Sequence, residues 1–530
     1  MLMRYTILLC LATLFSLMQS SFFAMSNAYY IHLSSAWYPS SRKELVRSLK
    51  EHEYYAQKHY ATGLDSSKVR AVICPHAGYE YSGNIASSAF NLIKPGQFKR
   101  VILLSPAHYD SFDGIGLPSS DYHTYKNLMG PIALDRKMLS ELRQHSSIVS
   151  YRPKAHELEH GVNVVLPFIQ RHCGETCSLV PLLVGHINID QAMDIAQVLR
   201  SLLDDQTLLV ISADFTHYGS MFDYQPFHDD ITQKIFRLDS AIVEQIQNQS
   251  LDGFVQVLDK TKATVCGMYP IMVLLALLEQ DAFGDVESYV AGYNTSASHK
   301  KNPEHSVSYL SLIISNQLRN QLDVDDQLTS YEKNFLLQLA RHRLQELIDN
   351  PASRREQSPT LLPGLLTSAL SQKQGAFVTM HELSPDGKRY LQGCIGELEA
   401  RRPLYQSVYD MTKSAALDDS RFKPVDKKQL PHIQISISAL TAALPIESHE
   451  QIKLGRDGVI LQAGEKSAVF LPKVPIEQGW TLNQTLTALS KKAGLSNNAW
   501  QGGQARFKTF GSIDFAEQKD PVQHILQGVE

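Results

Sequence analysis

Short apolar runs alternate with helical patterns through residues 69–315. Val69–Ile73, Val101–Leu104, Leu179–Val184 and Leu208–Ile211 are mostly Val, Ile and Leu, the texture of strands buried on both faces of a parallel sheet. Helical patterns lie between them. Ser41 with Glu44 predicts a capped start for a helix running to about Tyr60. Gly83–Ile93, Val162–Gln170 and most of Phe227–Lys260 read as helical. Asp190–Asp204 carries Ala192, Ile195, Val198 and Leu202 near helical spacing. Ile271–Leu278 is apolar but too short to span a bilayer, and predicts a buried helix. Asp121–Asp135 reads as irregular or β. Strands near Val286–Val290 and Val307–Ile314 close the unit. This alternation predicts a three-layer α/β domain over residues 29–320. The polar, acidic stretch Asn320–Thr329 then changes the texture. A helix over Ser330–Asn350 precedes strands at Ala376–Met380, His432–Leu440 and Ala468–Leu471, with a glycine turn at Gly455–Gly458. Residues 328–520 therefore read as a second, α+β domain.

Three apolar runs share a further feature: each leads into a turn that carries a histidine. Val69–Ile73 runs into Cys74-Pro75-His76-Ala77-Gly78, Val101–Leu104 into Ser105-Pro106-Ala107-His108, and Leu208–Ile211 into Ser212-Ala213-Asp214-Phe215-Thr216-His217. Open α/β sheets bind ligands at the carboxyl ends of their strands. The matched placement predicts one polar or metal-binding pocket built from His76, His108 and His217. Cys266-Gly267 stands just ahead of Pro270 and the apolar helix, which places the thiol near a helix N-terminus and predicts a stabilised thiolate. Two histidines and one anionic donor on separate loops match the facial arrangement of non-haem iron, and a thiolate donor also admits copper or zinc. Asp214 is placed to act as an acid or a base. Glu159-His160, at the start of an apolar helix, read equally as pocket residues or as a helix cap. His156, His186 and His228 read as structural, and Cys74 as packing.

Composition narrows this picture. Of the 20 histidines, 15 precede residue 321, so histidine chemistry belongs to the first domain. With 50 basic and 54 acidic residues the chain has a net charge of −4, and no basic excess points to nucleic acid. Six scattered cysteines do not form a disulfide framework, and Cys173 and Cys177 read as two unpaired thiols. Residues 1–28 stand apart: Tyr5–Met18 is almost wholly apolar, no charged residue occurs from Tyr5 to Ser41, and Ser26-Asn27-Ala28 offers small residues for cleavage. This reads as a signal peptide or N-terminal anchor, and hence as an exported (periplasmic) or membrane-anchored protein. A start at Met25 would instead give a cytoplasmic chain.

The ordered set Pro75-His76-Ala77-Gly78-Tyr79, Tyr81-Ser82-Gly83, Ser105-Pro106-Ala107-His108, Glu159-His160, Leu166-Pro167-Phe168, Asp214-Phe215-Thr216-His217-Tyr218-Gly219 and Cys266-Gly267 resembles the Memo family over roughly residues 30–315. The resemblance implies the fold of class III extradiol dioxygenases. It implies a metal held at His76, His108 and Cys266, with Asp214 and His217 as further pocket positions and Tyr79 and Tyr81 as candidate lining. Copper and iron are the metals the family suggests. One position departs: the family commonly reads Glu-His-Ser-hydrophobic-Glu, and this chain reads Glu159-His160-Gly161-Val162-Asn163. Leu391-Gln392-Gly393-Cys394-Ile395-Gly396, Asp419-Ser420-Arg421-Phe422-Lys423-Pro424, Phe470-Leu471-Pro472 and Lys492-Ala493-Gly494-Leu495 resemble the AMMECR family over roughly residues 328–520. There Cys394 reads as a nucleophile in a tight loop or as a small buried residue at a strand end, and Arg421 as an anion-binding or ion-paired residue. The pairing of the two families implies a link to a radical S-adenosylmethionine partner, the AmmeMemoRadiSam system. The chain has no Cys-x3-Cys-x2-Cys motif of its own. The expectation is a metal-dependent redox or oxygenase-like enzyme acting on an unknown small molecule or peptide. The alternatives are a non-catalytic binding platform and a metal-assisted hydrolase.

Overall fold

A computed structural model describes residues 28–517 except 31–32, 61, 146, 175, 301, 357, 360–361 and 385–387. The expected leader, Ala28 excepted, lies outside the described residues. Two compact units meet between Leu318 and Arg319.

The first unit is carried by a twelve-stranded sheet. Its centre is four parallel strands, β1 (Val69–Cys74), β2 (Arg100–Pro106), β3 (Ser178–Val184) and β4 (Thr207–Ser212), in the order β3-β2-β4-β1. These are the four apolar runs, each one to three residues longer than its pattern. The antiparallel strands β5 (Glu287–Thr295) and β6 (Ser306–Ser315) extend the sheet on the β1 side. The helices α1 (Arg42–His59), α2 (Tyr79–Phe90) and α3 (His160–Cys173) group together, as do α4 (Ile189–Arg200) and α5 (Met268–Glu279). Both α3 and α5 pack on β2 and β4, so the helix groups cover opposite faces and the unit has three layers. Pro270 to Leu278 of α5 are all buried, as a helix apolar on every side must be.

Two helix boundaries differ from the pattern. α2 starts at Tyr79 rather than Gly83, because the Tyr79 N–H donates to the Trp37 carbonyl and the Tyr81 and Ser82 N–H groups to that of Gly78. The segment Phe227–Lys260 is two helices, Ile231–Gln247 and Leu251–Thr261. They break where Gln249 takes a φ of +56° and Ser250 caps the second.

The second unit has two four-stranded sheets. In it, α6 (Ser330–Asp349) and α7 (Leu404–Lys413) cover one face of the sheet formed by β7 (Ala376–Leu383), β8 (Arg389–Glu397), β9 (Ile433–Leu440) and β10 (Ser512–Ala516), in the order β8-β7-β9-β10. Leu336, Leu339, Leu344 and Val408 from the helices meet Val378, Met380, Ile435 and Ile437 from the strands. The Thr329 side chain caps α6 and Glu332 reaches back to it, so the helix start is fixed by a capping box and by Arg319, which pairs with Glu332 at 2.9 Å.

His156 is fully buried in the first unit. Its Nε2–H donates to the Gly116 carbonyl at 2.9 Å, so its Nδ1 accepts from the Tyr125 hydroxyl at 2.6 Å. This is a neutral imidazole, and burial pulls its pKa from 6.5 down to about 4. The unfolded chain therefore takes up a proton before the folded one does, and this contribution to stability is present above pH 6.5 and lost as the pH falls toward 4. Chemical denaturation at pH 7 and pH 4.5 should show the wild type losing on the order of 2–3 kcal/mol more than His156→Gln, whose amide can still donate to Gly116. Equal losses would remove His156 as the titrating group.

Candidate functional site

The carboxyl ends of β1, β2 and β4 bring His76, His108 and Asp214 to one place, where the strand order reverses. His76 is buried at its centre. The Ser212 hydroxyl, the last side chain of β4, donates its only proton to the Gly161 carbonyl at 2.8 Å. It therefore accepts from His76 Nδ1–H, 2.7 Å away. That fixes the tautomer and leaves the Nε2 lone pair of His76 facing the pocket. The His76 N–H donates to Asp214 Oδ1 at 2.9 Å, which ties the β1 turn to the β4 turn.

His108 is oriented in the same way by a different acceptor. Its Nδ1–H donates to Glu159 Oε1 at 2.7 Å and its backbone N–H to Oε2 at 2.8 Å. Glu159 also caps α3, accepting from the Gly161 N–H at 2.8 Å. Glu159 thus performs both of its expected roles through one carboxylate. The bonds from His108 hold that buried carboxyl below its usual range despite the opposing effect of burial. A carboxylate behind the Nδ1 of a histidine is the usual support for a metal ligand. His160, at the first position of α3, stacks on Trp37 at 4.3 Å between ring centroids and lies 4.3 Å from the His108 ring. Its buried Nδ1 has no hydrogen-bond partner, and burial pulls its pKa down to about 4.

Cys266 completes the wall. Its sulfur lies 3.1 Å from His76 Nε2 and accepts from the Asp214 N–H at 3.2 Å. Gly267 makes this approach feasible, since a Cβ there would lie 2.1 Å from that of Ala213. The expected thiolate is not what the surroundings favour by themselves. Burial and the Asp214 carboxyl push the Cys266 thiol up, and these outweigh the help from the Asp214 and Gly267 N–H groups. Asp214 is buried as well, and its pKa rises to about 6. His217 lies within electrostatic reach of Asp214, His76 and His160, and its Nδ1 is held by the Phe215 carbonyl at 2.8 Å.

Two overlapping donor groups result, His76 with His108 and His160, and His76 with Asp214 and Cys266. Within each, the donor atoms lie within 4.8 Å of one another. The trio His76, His108 and Cys266 is thus divided between them and joined at His76. The oriented Nε2 of His76, the carboxylate behind His108, the orphaned Nδ1 of His160 and the soft sulfur all fit a transition-metal ion.

Family-model comparison matches residues 31–313 to Memo-like protein and residues 337–515 to AMMECR1. The chain belongs to the Memo-like family. A memo-1 homolog from Caenorhabditis elegans is 28% identical over 314 residues, 56% of this chain and 87% of its own length. Protein MEMO1 from Homo sapiens is 28% identical over 292 residues, 52% of this chain and 93% of its own. Among solved structures, an uncharacterized protein from Pyrococcus horikoshii shares 31% identity and a TM-score of 0.31, covering 35% of this chain and 90% of its own.

Gly161, at the departure from the Memo-like pattern, occupies a crowded position. A Cβ at Gly161 would lie 2.5 Å from Ser105 Oγ and 3.1 Å from Glu159 Oε1. Ser105 occupies the space that a side chain at 161 would need. Asn163, where the family carries a second acid, donates to the Glu159 carbonyl at 2.7 Å and continues the cap. Tyr79 is not in the pocket but in the helix layer, against Phe168, with its hydroxyl donating to the Val164 carbonyl. Tyr81 is half-buried near Tyr309, a buried residue also within reach of Asp214. Sequence reasoning assigned no role to Ser212, Trp37 or Tyr309, none of which carries a local signal. His186 bonds the Tyr269 hydroxyl at 3.0 Å.

In the second unit Cys394 lies within β8, not in a tight loop, beside Thr379 at 3.2 Å. Arg421 is ion-paired with Asp419 at 2.7 Å and donates to the Cys394 carbonyl at 3.0 Å. Hydrogen bonds from Arg421 hold Asp419 down at about 2.

Two outcomes follow. Ser212→Ala should lower metal affinity by about 10–100-fold in competitive chelator titrations, with a loss of about 1–3 kcal/mol in stability from the unpaired Gly161 carbonyl. Unchanged affinity would show that the tautomer is fixed by other means. Gly161→Ser should cost about 1–3 kcal/mol in denaturant unfolding, and Ser105→Gly in the same chain should restore most of it.

Proposed function

We propose that the Memo-like unit is a metal-dependent redox or oxygenase-like enzyme centred on His76, His108 and Cys266. The supporting observation is that both histidines are anchored through Nδ1, that their rings lie 5.2 Å apart, and that the Cys266 sulfur lies 3.1 Å from His76 Nε2. Two imidazoles with a thiolate or carboxylate suit iron or copper, and zinc next. Bound iron or copper would supply one-electron chemistry and oxygen activation. Asp214, with its pKa raised to about 6, can hold or release a proton near neutral pH beside the His76 N–H. His217 is the second proton-handling group. Trp37 and the exposed Tyr109, both packed on His160, form an aromatic rim suited to a flat or apolar part of a small molecule or peptide. The tandem of Memo-like and AMMECR1 regions supports a radical S-adenosylmethionine protein as the functional partner. The apolar leader favours export.

The raised Asp214 also suits a general base, so metal-assisted hydrolysis is the second reading. Elemental analysis of anaerobically purified protein, with oxygen uptake measured across a small-molecule panel, separates the two. His76→Ala and Cys266→Ala should each lose most of the bound metal and all turnover. Full metal content in both would overturn the assignment, and product release without oxygen uptake would select hydrolysis.

A further inference from the structure

The second unit contains a cleft of about 1020 Å³, lined by none of the residues given a role above. One wall is formed by Arg354, Arg355, Glu356 and Ser358, and the other by Arg401, Arg402 and the α7 side with Asp410 and Lys413. Five basic residues line it against two acidic ones, in a chain whose net charge is −4.

The walls are braced from beneath. Arg343 is 1% exposed, and its guanidinium donates to the Ser353 and Glu356 carbonyls at 3.1 and 3.2 Å while stacking on the Tyr409 ring of α7 at 4.1 Å. One buried cation therefore fixes the first wall against the second. The carboxylates near the cleft are already engaged. Asp410 pairs with Arg402, which also bonds Glu397 at 3.1 Å, and Glu399 pairs with Arg401. Glu346 beside Glu356 pushes the Glu356 carboxyl up. Among the described residues, Arg354, Arg355 and Lys413 have no carboxylate partner. They come from two separate segments, so a ligand that carries several anionic groups matches them better than one that carries a single group. Among the described residues no aromatic ring lines the cleft, and its recognition rests on charge rather than on base stacking.

We propose that this cleft binds a linear oligophosphate, the chain of a nucleoside triphosphate or of inorganic polyphosphate. The guanidinium forks suit phosphate oxygens, and the volume is that of a small-molecule site. The test is calorimetric titration of the full-length, metal-free protein at low salt with tripolyphosphate, ATP, sulfate and tetraglutamate, without divalent cations. Tripolyphosphate should bind one to one, with affinity falling as salt rises, and ATP should bind no more tightly. A clear preference for ATP would assign the site to nucleotides, and equal binding would assign it to the phosphate chain itself. Arg354→Gln should weaken binding about tenfold. The triple variant Arg354→Gln, Arg355→Gln, Lys413→Gln should abolish it at wild-type melting temperature, and Cys266→Ala should leave it unchanged. The proposal is overturned by no binding to the wild type, by sulfate or tetraglutamate matching tripolyphosphate, or by the triple variant binding as well as the wild type.

Discussion

One hydrogen-bond relay holds the Memo-like pocket together. His76 Nδ1 donates to Ser212 Oγ, and Ser212 donates to the Gly161 carbonyl. The relay joins the end of β1, the end of β4 and the start of α3, three segments that are far apart in the chain. Because a hydroxyl has one proton, the direction of the second bond dictates that of the first. The consequence is chemical: the only free nitrogen of His76 faces Cys266 and Asp214. A buried histidine without this relay would be free to present either nitrogen.

Glu159 supports the opposite side of the pocket with the same economy of parts. One buried carboxylate caps α3 and orients His108, so helix position and ligand orientation cannot vary independently. Gly161 is the point at which both supports meet. Its N–H serves Glu159, its carbonyl serves Ser212, and its missing side chain leaves room for Ser105. The glycine there packs against Ser105 of β2, and the start of α3 still supports the site through its backbone.

The two units place their charge differently. In the first, the Glu159 and Asp214 carboxyls are buried among histidines and backbone N–H groups. In the second, a buried Arg343 braces an open cleft in which Arg354, Arg355 and Lys413 have no carboxylate partner among the described residues. Burial makes the first set sensitive to desolvation, as the opposite shifts of Glu159 and Asp214 show. Solvent exposure leaves the second set charged and sensitive to salt.

The pattern of apolar runs determined the four central strands, the buried α5 and the carboxyl-end placement of His76, His108 and Asp214. Such features are local: a strand buried on both faces must be apolar, and the turn after it must carry the polar groups. The spacing around Cys266 likewise located the thiol at a helix start, but its protonation preference was set by burial and by Asp214, 52 residues earlier in the chain. Ser212 and Trp37 acquire their roles from partners that the fold brings to them, with His76 and Ser212 lying 136 residues apart. Tyr79, inside the most recognisable motif, turned into the helix layer because Phe168 and the Val164 carbonyl receive it there. Local periodicity therefore determined which segments end at the site. Only tertiary packing decided which atoms face each other within it, because hydrogen-bond direction, desolvation and steric exclusion depend on neighbours that are not adjacent in sequence.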